Sequence, residues 1–272
     1  MGRRSYNLSM VPAAAFFDLD KTIIAKSSTL AFRRHMYKAG LLNRRTLLRM
    51  AVAQFFYVLF GADHSQMERV REALMALIKG WDSRQLEEIV AETLEDVVAP
   101  LVYAEALFLI DEHHREGRKV IIVSSSPAEI VKPLATYLGV DDVIATRAAV
   151  DEEGLYTGEL EYYAYGPTKA EALHELEAGG LDLSASYAYS DSHTDLPLLE
   201  AVGNPVAVNP DRELRKVSEE REWPIREFQL AVDLRTRLAE MPKPDPVISG
   251  AAVATGIAAV IAVVLLKSRK KG

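Results

Sequence analysis

Short apolar runs alternate with helical segments through the second half of this 272-residue chain. Such runs are typical of buried strands, whereas apolar residues at three- and four-residue spacing are typical of helices. Strands are expected at 119–123, 143–145, 187–189 and 206–208, and helices at 127–138 and 168–177. Strands separated by helices of this length predict a parallel sheet with helices on both faces.

A further apolar run near the N-terminus, 13–17, predicts the first strand, and it ends directly before a pair of acids. From about residue 27 to residue 117 the pattern is helical throughout, which indicates a helical insert between the first two strands. The expected fold is therefore α/β. A Rossmann-like doubly wound parallel sheet is formed by 13–26 and 118–225, and an all-helical domain is inserted at 27–117.

Three of the expected strands end in polar residues. Asp18 and Asp20 follow the first strand, Ser124 ends the second, and Asp191 follows the strand at 187–189. Ligands of doubly wound sheets bind at the carboxyl ends of the strands. These carboxylates and this hydroxyl are therefore expected to meet at one edge of the sheet.

Each of these signals also has an ordinary structural explanation when it is taken alone. Two acids in a turn are commonly solvated, and Ser124 could cap the helix that follows it. Lys169, behind a Gly-Pro turn, could face solvent, and Asp191 and Asp195 could satisfy a helix N-terminus. Their combination and order along the chain favour a functional site.

Together these segments resemble the signature motifs of the haloacid dehalogenase (HAD) superfamily. D-L-D-K-T at 18–22 resembles its first motif, D-x-D-x-T, while Ser124, Lys169 and S-D-S-H-T-D at 190–195 resemble the second, third and fourth. The helical insert is similar to the C1 caps of that superfamily. The sequence at 190–211 is similar to subfamily IB, which includes the phosphoserine phosphatase-like enzymes.

The resemblance implies a phosphomonoester hydrolase that works through a phosphorylated aspartate. Asp18 would attack phosphorus and form an aspartyl-phosphate. Asp20 would protonate the leaving oxygen and then deprotonate the water that hydrolyses the intermediate. Lys169 would compensate the negative charge that gathers around the phosphate. Asp18, Asp20 and Lys169 are thus the expected catalytic residues.

The same resemblance implies Mg²⁺ as the cofactor, because Mg²⁺ prefers oxygen ligands and keeps several waters. Asp18, the main-chain carbonyl of Asp20 and Asp191 would hold the ion. Asp195 would support the site by orienting a metal-bound water or the catalytic lysine.

The resemblance also implies a set of phosphate-binding groups. Ser124 and Ser125 would donate hydrogen bonds to phosphate oxygens, and Lys169 would pair with them. The hydroxyl of Thr22 would steady the loop after the first strand.

The substrate is expected to be a small phosphorylated metabolite, either phosphoserine-like or a lysophospholipid phosphate. Phosphoserine phosphatases use a glutamate after the first motif to recognise the substrate amine, but 25–28 contains no acid. They also tend to have a Gly pair where this chain has Ser125 and Ser126. The apolar stretch at 47–62 is either a core helix of the insert or a face for an acyl chain or bilayer.

Two other functions remain open at this stage. One is a phosphotransferase that uses the same aspartyl-phosphate chemistry, and the other is a membrane-tethered scaffold with a retired site. The formal net charge of −7 argues against a nucleic-acid partner, because such partners require a basic surface. The chain has no cysteine, which excludes disulfides, and it gives no indication of oligomeric state.

The C-terminal region predicts a membrane anchor. Residues 247–266 are uncharged over a length that can cross a bilayer, and a polar, proline-rich linker at 226–246 precedes them. The segment either spans the bilayer or lies along its interface; a buried helix is the alternative. No signal-peptide pattern precedes Asp18, so the catalytic domain is expected to be cytoplasmic, although the basic tail at 267–271 conflicts with a spanning helix in that orientation.

Overall fold

The computed structural model describes residues 12–42 and 64–229, with the backbone alone described for 64–70. Within these residues the strands form one seven-stranded sheet. They are β1 (Ala14–Phe17), β2 (Lys119–Pro127), β3 (Asp142–Val150), β4 (Tyr156–Tyr162), β5 (Tyr187–Ser190), β6 (Asn204–Val208) and β7 (Ile225–Arg226). Their order across the sheet is β4-β3-β2-β1-β5-β6-β7.

The first strand lies in the middle of this sheet. β1 pairs in parallel with β2 on one side and with β5 on the other. The pairs β2–β3, β5–β6 and β6–β7 are also parallel, and only the edge strand β4 pairs antiparallel, with β3. The predicted parallel sheet is therefore confirmed, and the carboxyl ends of β1, β2 and β5 lie side by side.

Helices occupy the connections between the strands. They are α1 (Ser28–Ala31), α2 (Arg33–Lys38), α3 (His64–Ile78), α4 (Ser83–Val98), α5 (Ala104–Arg115), α6 (Ala128–Leu138), α7 (Pro167–Ala178), α8 (Leu196–Glu200) and α9 (Arg212–Glu220). Short 3-10 turns are formed at Ala99–Leu101 and His193–Asp195.

Apolar side chains cover both faces of the sheet. Ala15 and Phe17 belong to one hydrophobic cluster, together with residues of α5 and α6, whereas Ala14 and Phe16 belong to a second cluster with residues of α7, α8 and α9. This alternation is the two-residue period of a strand buried on both sides. The doubly wound arrangement predicted from the sequence is confirmed.

The described part of the insert between β1 and β2 is helical. The chain leaves and re-enters the sheet through neighbouring segments, because Ile24 and Val102 form an antiparallel bridge. The N–H of Tyr103 also donates to the carbonyl of Ile23 at 2.9 Å. The last helix of the insert, α5, packs on the sheet, and its His113 ring lies 2.9 Å from the hydroxyl of Tyr189.

None of the helices within the described residues is long and apolar enough to cross a membrane. The predicted membrane segment at 247–266 lies outside the described residues, as do the linker beyond residue 229 and the apolar stretch at 47–62.

Candidate active site

Asp18 directly follows the central strand of the sheet. Its N–H donates to the carbonyl of Tyr189 at 2.9 Å, which continues the pairing of β1 with β5 by one residue. The residue is only 6% exposed. A carboxylate in this position is costly to bury unless cations or hydrogen-bond donors compensate its charge.

Lys169 provides that compensation for two carboxylates. Its Nζ lies 2.9 Å from Oδ1 of Asp18 and 2.8 Å from Oδ2 of Asp195. Lys169 is 2% exposed, so these contacts are shielded from water. Asp195 is held in turn by the hydroxyl of Ser190, which donates to the same Oδ2 at 2.7 Å.

The start of α7 explains how the lysine reaches the acids. Gly166 precedes the helix with φ +57° and ψ −124°, a conformation that disfavours residues with a side chain, and Pro167 opens the first turn. The hydroxyl of Thr168 donates to the carbonyl of Tyr165 at 2.9 Å and fastens the turn before the helix. Lys169 therefore points from a rigid helix start towards β1.

The charges of this cluster are strongly coupled. The surroundings of Asp18 raise its pKa to about 8: burial is the largest cause, Lys169 acts against it, and the carboxylates of Asp195, Asp191 and Asp20 act with it. Burial alone would lower the pKa of Lys169, but the carboxylates of Asp18 and Asp195 outweigh that effect and raise it. The lysine is thus held as a cation, while burial and the neighbouring acids disfavour the ionised form of Asp18.

Asp191 is a buried carboxylate whose nearest cation, Lys21, is exposed to solvent. Its pKa is raised to about 6, chiefly by burial, although Lys21, which lies 3.7 Å away and is mostly exposed, acts in the opposite direction. No group of three or more metal-ligating side chains occurs within 12–42 and 64–229. Mg²⁺ commonly uses one or two carboxylates and keeps waters for the rest, so Asp18, Asp191 and a main-chain carbonyl are a suitable donor set.

The carboxyl group of Asp20 is held by donors from two other elements. Oδ1 accepts from the N–H of Ser28 at 2.7 Å, and Oδ2 accepts from the hydroxyl of Ser126 at 3.0 Å. The side chain is therefore fixed by hydrogen bonds, which leaves the main-chain carbonyl as the atom of Asp20 suited to a metal. Burial raises the pKa of Asp20, and these hydrogen bonds act in the opposite direction.

The three serines in the last part of β2 have different environments. Ser124 is 1% exposed, and its oxygen accepts from the N–H of Ser126 at 3.2 Å, so its own proton remains available for a ligand oxygen. Ser125 is exposed. Thr22 is fully buried, and its hydroxyl makes no hydrogen bond among the described residues, so its role in steadying the first loop stays a prediction.

The structure thus brings Asp18, Asp191, Asp195 and Lys169 together, as the sequence pattern predicts. It also adds contacts that the pattern did not reveal, made by Ser28, Ser126 and Ser190. A role for Ser190 could have been suspected, because it is the last residue of β5 and directly precedes Asp191. Nothing in the sequence pairs Ser28 with Ser126, because 98 residues separate them.

Comparison of the chain with known proteins identifies its family. Residues 15–200 match the family described as haloacid dehalogenase-like hydrolase. The chain is 55% identical over 257 residues to an "inhibition of morphological differentiation protein" of Streptomyces azureus, covering 94% of this chain and 93% of that one. It is 52% identical over 250 residues to a probable phosphatase of Mycobacterium tuberculosis, covering 92% and 86%.

More distant relatives carry specific enzyme names. A phosphoserine phosphatase of Mycobacterium tuberculosis is 32% identical over 88% of this chain and 77% of its own. A histidinol-phosphatase of Neisseria meningitidis is 30% identical over 79% of this chain and 98% of its own. A solved structure of unknown function from Bordetella pertussis shares the fold with a TM-score of 0.70 and 27% identity, over 80% of this chain and 99% of that one.

The acids at the ends of β1 and β5, the lysine at the start of α7, the match over 15–200 and these relatives all indicate the same family. The chain belongs to the haloacid dehalogenase-like hydrolase family, as a phosphatase of its phosphoserine phosphatase-like branch.

Proposed function

We propose that this protein is a Mg²⁺-dependent hydrolase of small phosphomonoesters that works through an aspartyl-phosphate on Asp18. The observation that carries the proposal is the buried contact of 2.9 Å between Asp18 and Lys169 at the end of the central strand. It places a nucleophilic carboxylate beside a fixed positive charge, which is the arrangement that attack on a phosphate dianion needs.

In the first step a carboxylate oxygen of Asp18 forms a bond to phosphorus. The bond between phosphorus and the ester oxygen breaks, its electron pair stays on that oxygen, and Asp20 supplies the proton that makes it an alcohol. Lys169 and the hydroxyl of Ser124 bind the negative charge of the phosphoryl oxygens. The product of this step is the free alcohol and a phosphorylated Asp18.

In the second step water attacks the same phosphorus atom while Asp20, now ionised, takes its proton. The bond between phosphorus and the Asp18 oxygen breaks, which releases inorganic phosphate and restores the carboxylate. One difficult reaction is thereby divided into two easier ones, with one acid–base residue serving both.

A divalent cation fits the donor set of Asp18, the main-chain carbonyl of Asp20 and Asp191. When bound, Mg²⁺ would supply positive charge that favours the ionised form of Asp18 and offsets the charge of the phosphate. Lys169, at the start of α7, would supply further positive charge next to Asp18 and the phosphate.

Two features bear on the substrate class: the general acid Asp20 and the sequence at 25–28. A positioned general acid is most useful when the leaving group is an aliphatic alcohol, because such an alkoxide is a poor leaving group. Residues 25–28 provide no carboxylate for a substrate amine. We therefore favour a small aliphatic phosphomonoester or a lysophospholipid phosphate over phosphoserine itself.

The test is phosphate release by the full-length protein from p-nitrophenyl phosphate, phosphoserine, histidinol phosphate, sugar phosphates and a lysophosphatidate. Activity should require Mg²⁺, disappear with EDTA and fall by at least about 10³-fold in Asp18→Asn. Acid quenching during turnover should trap a phosphorylated peptide that contains Asp18. Release that Asp18→Asn leaves unchanged would contradict the proposal, and capture of the phosphoryl group by an added alcohol would indicate a phosphotransferase.

We also propose that residues 247–266 attach the protein to a membrane, with the catalytic domain on the cytoplasmic side. The support is the uncharged length of the segment. A helix lying along the cytoplasmic interface would also place the basic residues that follow it on anionic headgroups. Full-length protein should float with anionic liposomes in a density gradient, and protein with two arginines introduced near residue 256 should not. Equal flotation of both proteins would contradict a membrane role for this segment.

A further inference from the structure

The two oxygens of the Asp20 carboxyl group are bound by donors from two different parts of the fold, the insert and the sheet. The N–H of Ser28, at the start of α1, holds Oδ1 at 2.7 Å. The hydroxyl of Ser126, at the end of β2, holds Oδ2 at 3.0 Å. The orientation of the acid–base residue is therefore set by one donor from the insert and one from the sheet.

The two serines are also bonded to each other. The hydroxyl of Ser28 donates to the oxygen of Ser126 at 3.0 Å, and the hydroxyl of Thr29 lies 3.5 Å from the same atom. Ser28 is fully buried and Ser126 is 5% exposed. The hydrogen bonds therefore run in one direction: Ser28 donates to Ser126, and Ser126 donates to Asp20. Sheltered chains of this kind strengthen each member and fix one geometry.

A helix-capping role does not account for Ser126. The helix that follows it, α6, has Pro127 at its N-cap position, and no side chain caps that helix. The hydroxyl of Ser126 is directed instead to a residue 106 positions earlier in the chain. Phosphoserine phosphatases tend to have glycine at the matching position, which could not make this contact.

From this network we infer that Ser126 is a positioning residue: its hydroxyl orients Asp20 towards the leaving oxygen, and the hydroxyl of Ser28 fixes Ser126. The inference rests on the proposed function, since it assigns Asp20 the role of general acid. It has a structural consequence, because Ser28 opens the first helix of the insert. The insert and the sheet therefore both contribute to the orientation of the acid.

The test compares two leaving groups in the first turnover, measured as phosphoenzyme formation by rapid quench. p-Nitrophenolate leaves without protonation, whereas the alkoxide of an alkyl phosphate such as glycerol phosphate does not. Ser126→Ala should slow phosphorylation by the alkyl phosphate at least about tenfold, with KM little changed, and should affect p-nitrophenyl phosphate by less than about twofold. Ser126→Thr, which keeps a hydroxyl, should restore most of the alkyl rate.

Two further variants separate positioning from folding. Ser28→Ala retains the N–H that binds Asp20 and should give a smaller loss with the same preference for the alkyl substrate. Ser218→Ala also removes a buried hydroxyl, but one that has no hydrogen-bond partner among the described residues, and it should behave as wild type. In an Asp20→Asn background, Ser126→Ala should add no further loss.

The outcomes distinguish this inference from the proposed function. If wild type turns over both substrates and Ser126→Ala slows both equally, or slows neither, Ser126 does not position the acid. An additive loss in the Asp20→Asn background would lead to the same conclusion. Wild-type protein that forms no phosphoenzyme with either substrate would refute the proposed function, and the inference with it.

Discussion

At the scale of single residues, the site depends on one buried cation between two carboxylates. Lys169 contacts Asp18 and Asp195 at 2.9 and 2.8 Å, and all three are nearly inaccessible to water. Breaking such a pair is costly because the remaining charge is buried without a partner. The same lysine would serve both the stability of the fold and the binding of phosphate.

Replacement of this lysine should separate the two roles. Lys169→Met is expected to lower kcat by at least about 10²-fold and to lower the free energy of unfolding by about 3 kcal/mol, because two buried carboxylates lose their cation. The measurements are steady-state kinetics and urea unfolding. In the double variant with Asp195→Asn, part of the stability should return while activity stays low. Recovery of activity in the double variant would contradict a phosphate-binding role.

A second residue-scale prediction concerns His113, which lies behind the central strand. Its pKa is lowered to about 4, chiefly by burial and further by the positive charges of Arg118, His114 and Arg226. The unfolded chain therefore takes up a proton near pH 6.5 while the folded protein does not. The contribution of His113 to stability is complete above about pH 6.5 and is lost as the pH falls towards 4.

His113→Gln should therefore lose less stability than wild type between pH 7 and pH 5. Between pH 7 and pH 5, the free energy of unfolding of wild type is expected to fall further than that of the variant, by on the order of 2 kcal/mol. Since both proteins keep the same carboxylates, subtracting one urea-unfolding profile from the other isolates the histidine. Identical drops in the two proteins would show that His113 takes up no proton on unfolding.

The sequence predicted the principal site residues but not the contacts that orient them. Asp18, Lys169 and Asp191 lie where the motif order and the strand ends predict. The contact between Ser28 and Ser126 could not be predicted, because it joins positions 98 residues apart that only the folded chain brings together. The prediction that Ser125 binds phosphate stays open, since it is exposed.

At the scale of elements, close backbone approaches set the positions of the strands. Gly203, just before β6, lies against the loop that precedes β5, and its N–H donates to the carbonyl of Leu183 at 2.9 Å. A Cβ atom at this glycine would lie 1.8 Å from the carbonyl oxygen of Ser184. The neighbouring atoms belong to the backbone, so they cannot move aside easily.

Gly203→Ala should accordingly destabilise the protein by about 3 kcal/mol or more, because the strained loop must shift. Thermal unfolding measures the effect. Gly179→Ala is the matched control, since its Cβ would meet its nearest atom at 3.2 Å at the end of α7, and it should cost less than about 1 kcal/mol. Equal melting temperatures for the two variants would contradict the close approach.

The bounds of the elements show where local patterns are informative. β2 was predicted to end at residue 123 and extends to Pro127, because the polar serines that follow its apolar core continue along β3 with an irregular register. β7 was not predicted, since two residues form no pattern. α9 was missed as well, because Leu214 and Ser218 are its only buried residues and charged residues dominate it.

At the scale of the whole molecule, metal binding should stabilise the fold. The acids at the ends of β1 and β5 meet only in the folded protein, so Mg²⁺ would bind the native state and not the unfolded chain. At 100 times its dissociation constant, the ion would add about 2.7 kcal/mol and raise Tm by about 5–10 °C. Asp191→Asn should abolish most of this rise, and an equal rise in both proteins would place the metal elsewhere.

The central position of β1 separates a well-protected part of the molecule, the sheet, from a part that is attached at one place, the insert. This strand has hydrogen-bonded neighbours on both edges, so its amides can exchange with solvent only when the sheet itself opens. The insert, by contrast, is joined to the sheet by the adjacent segments that contain Ile24 and Val102. In the course of evolution the insert can therefore be remodelled while Asp18 keeps its place at the end of the central strand.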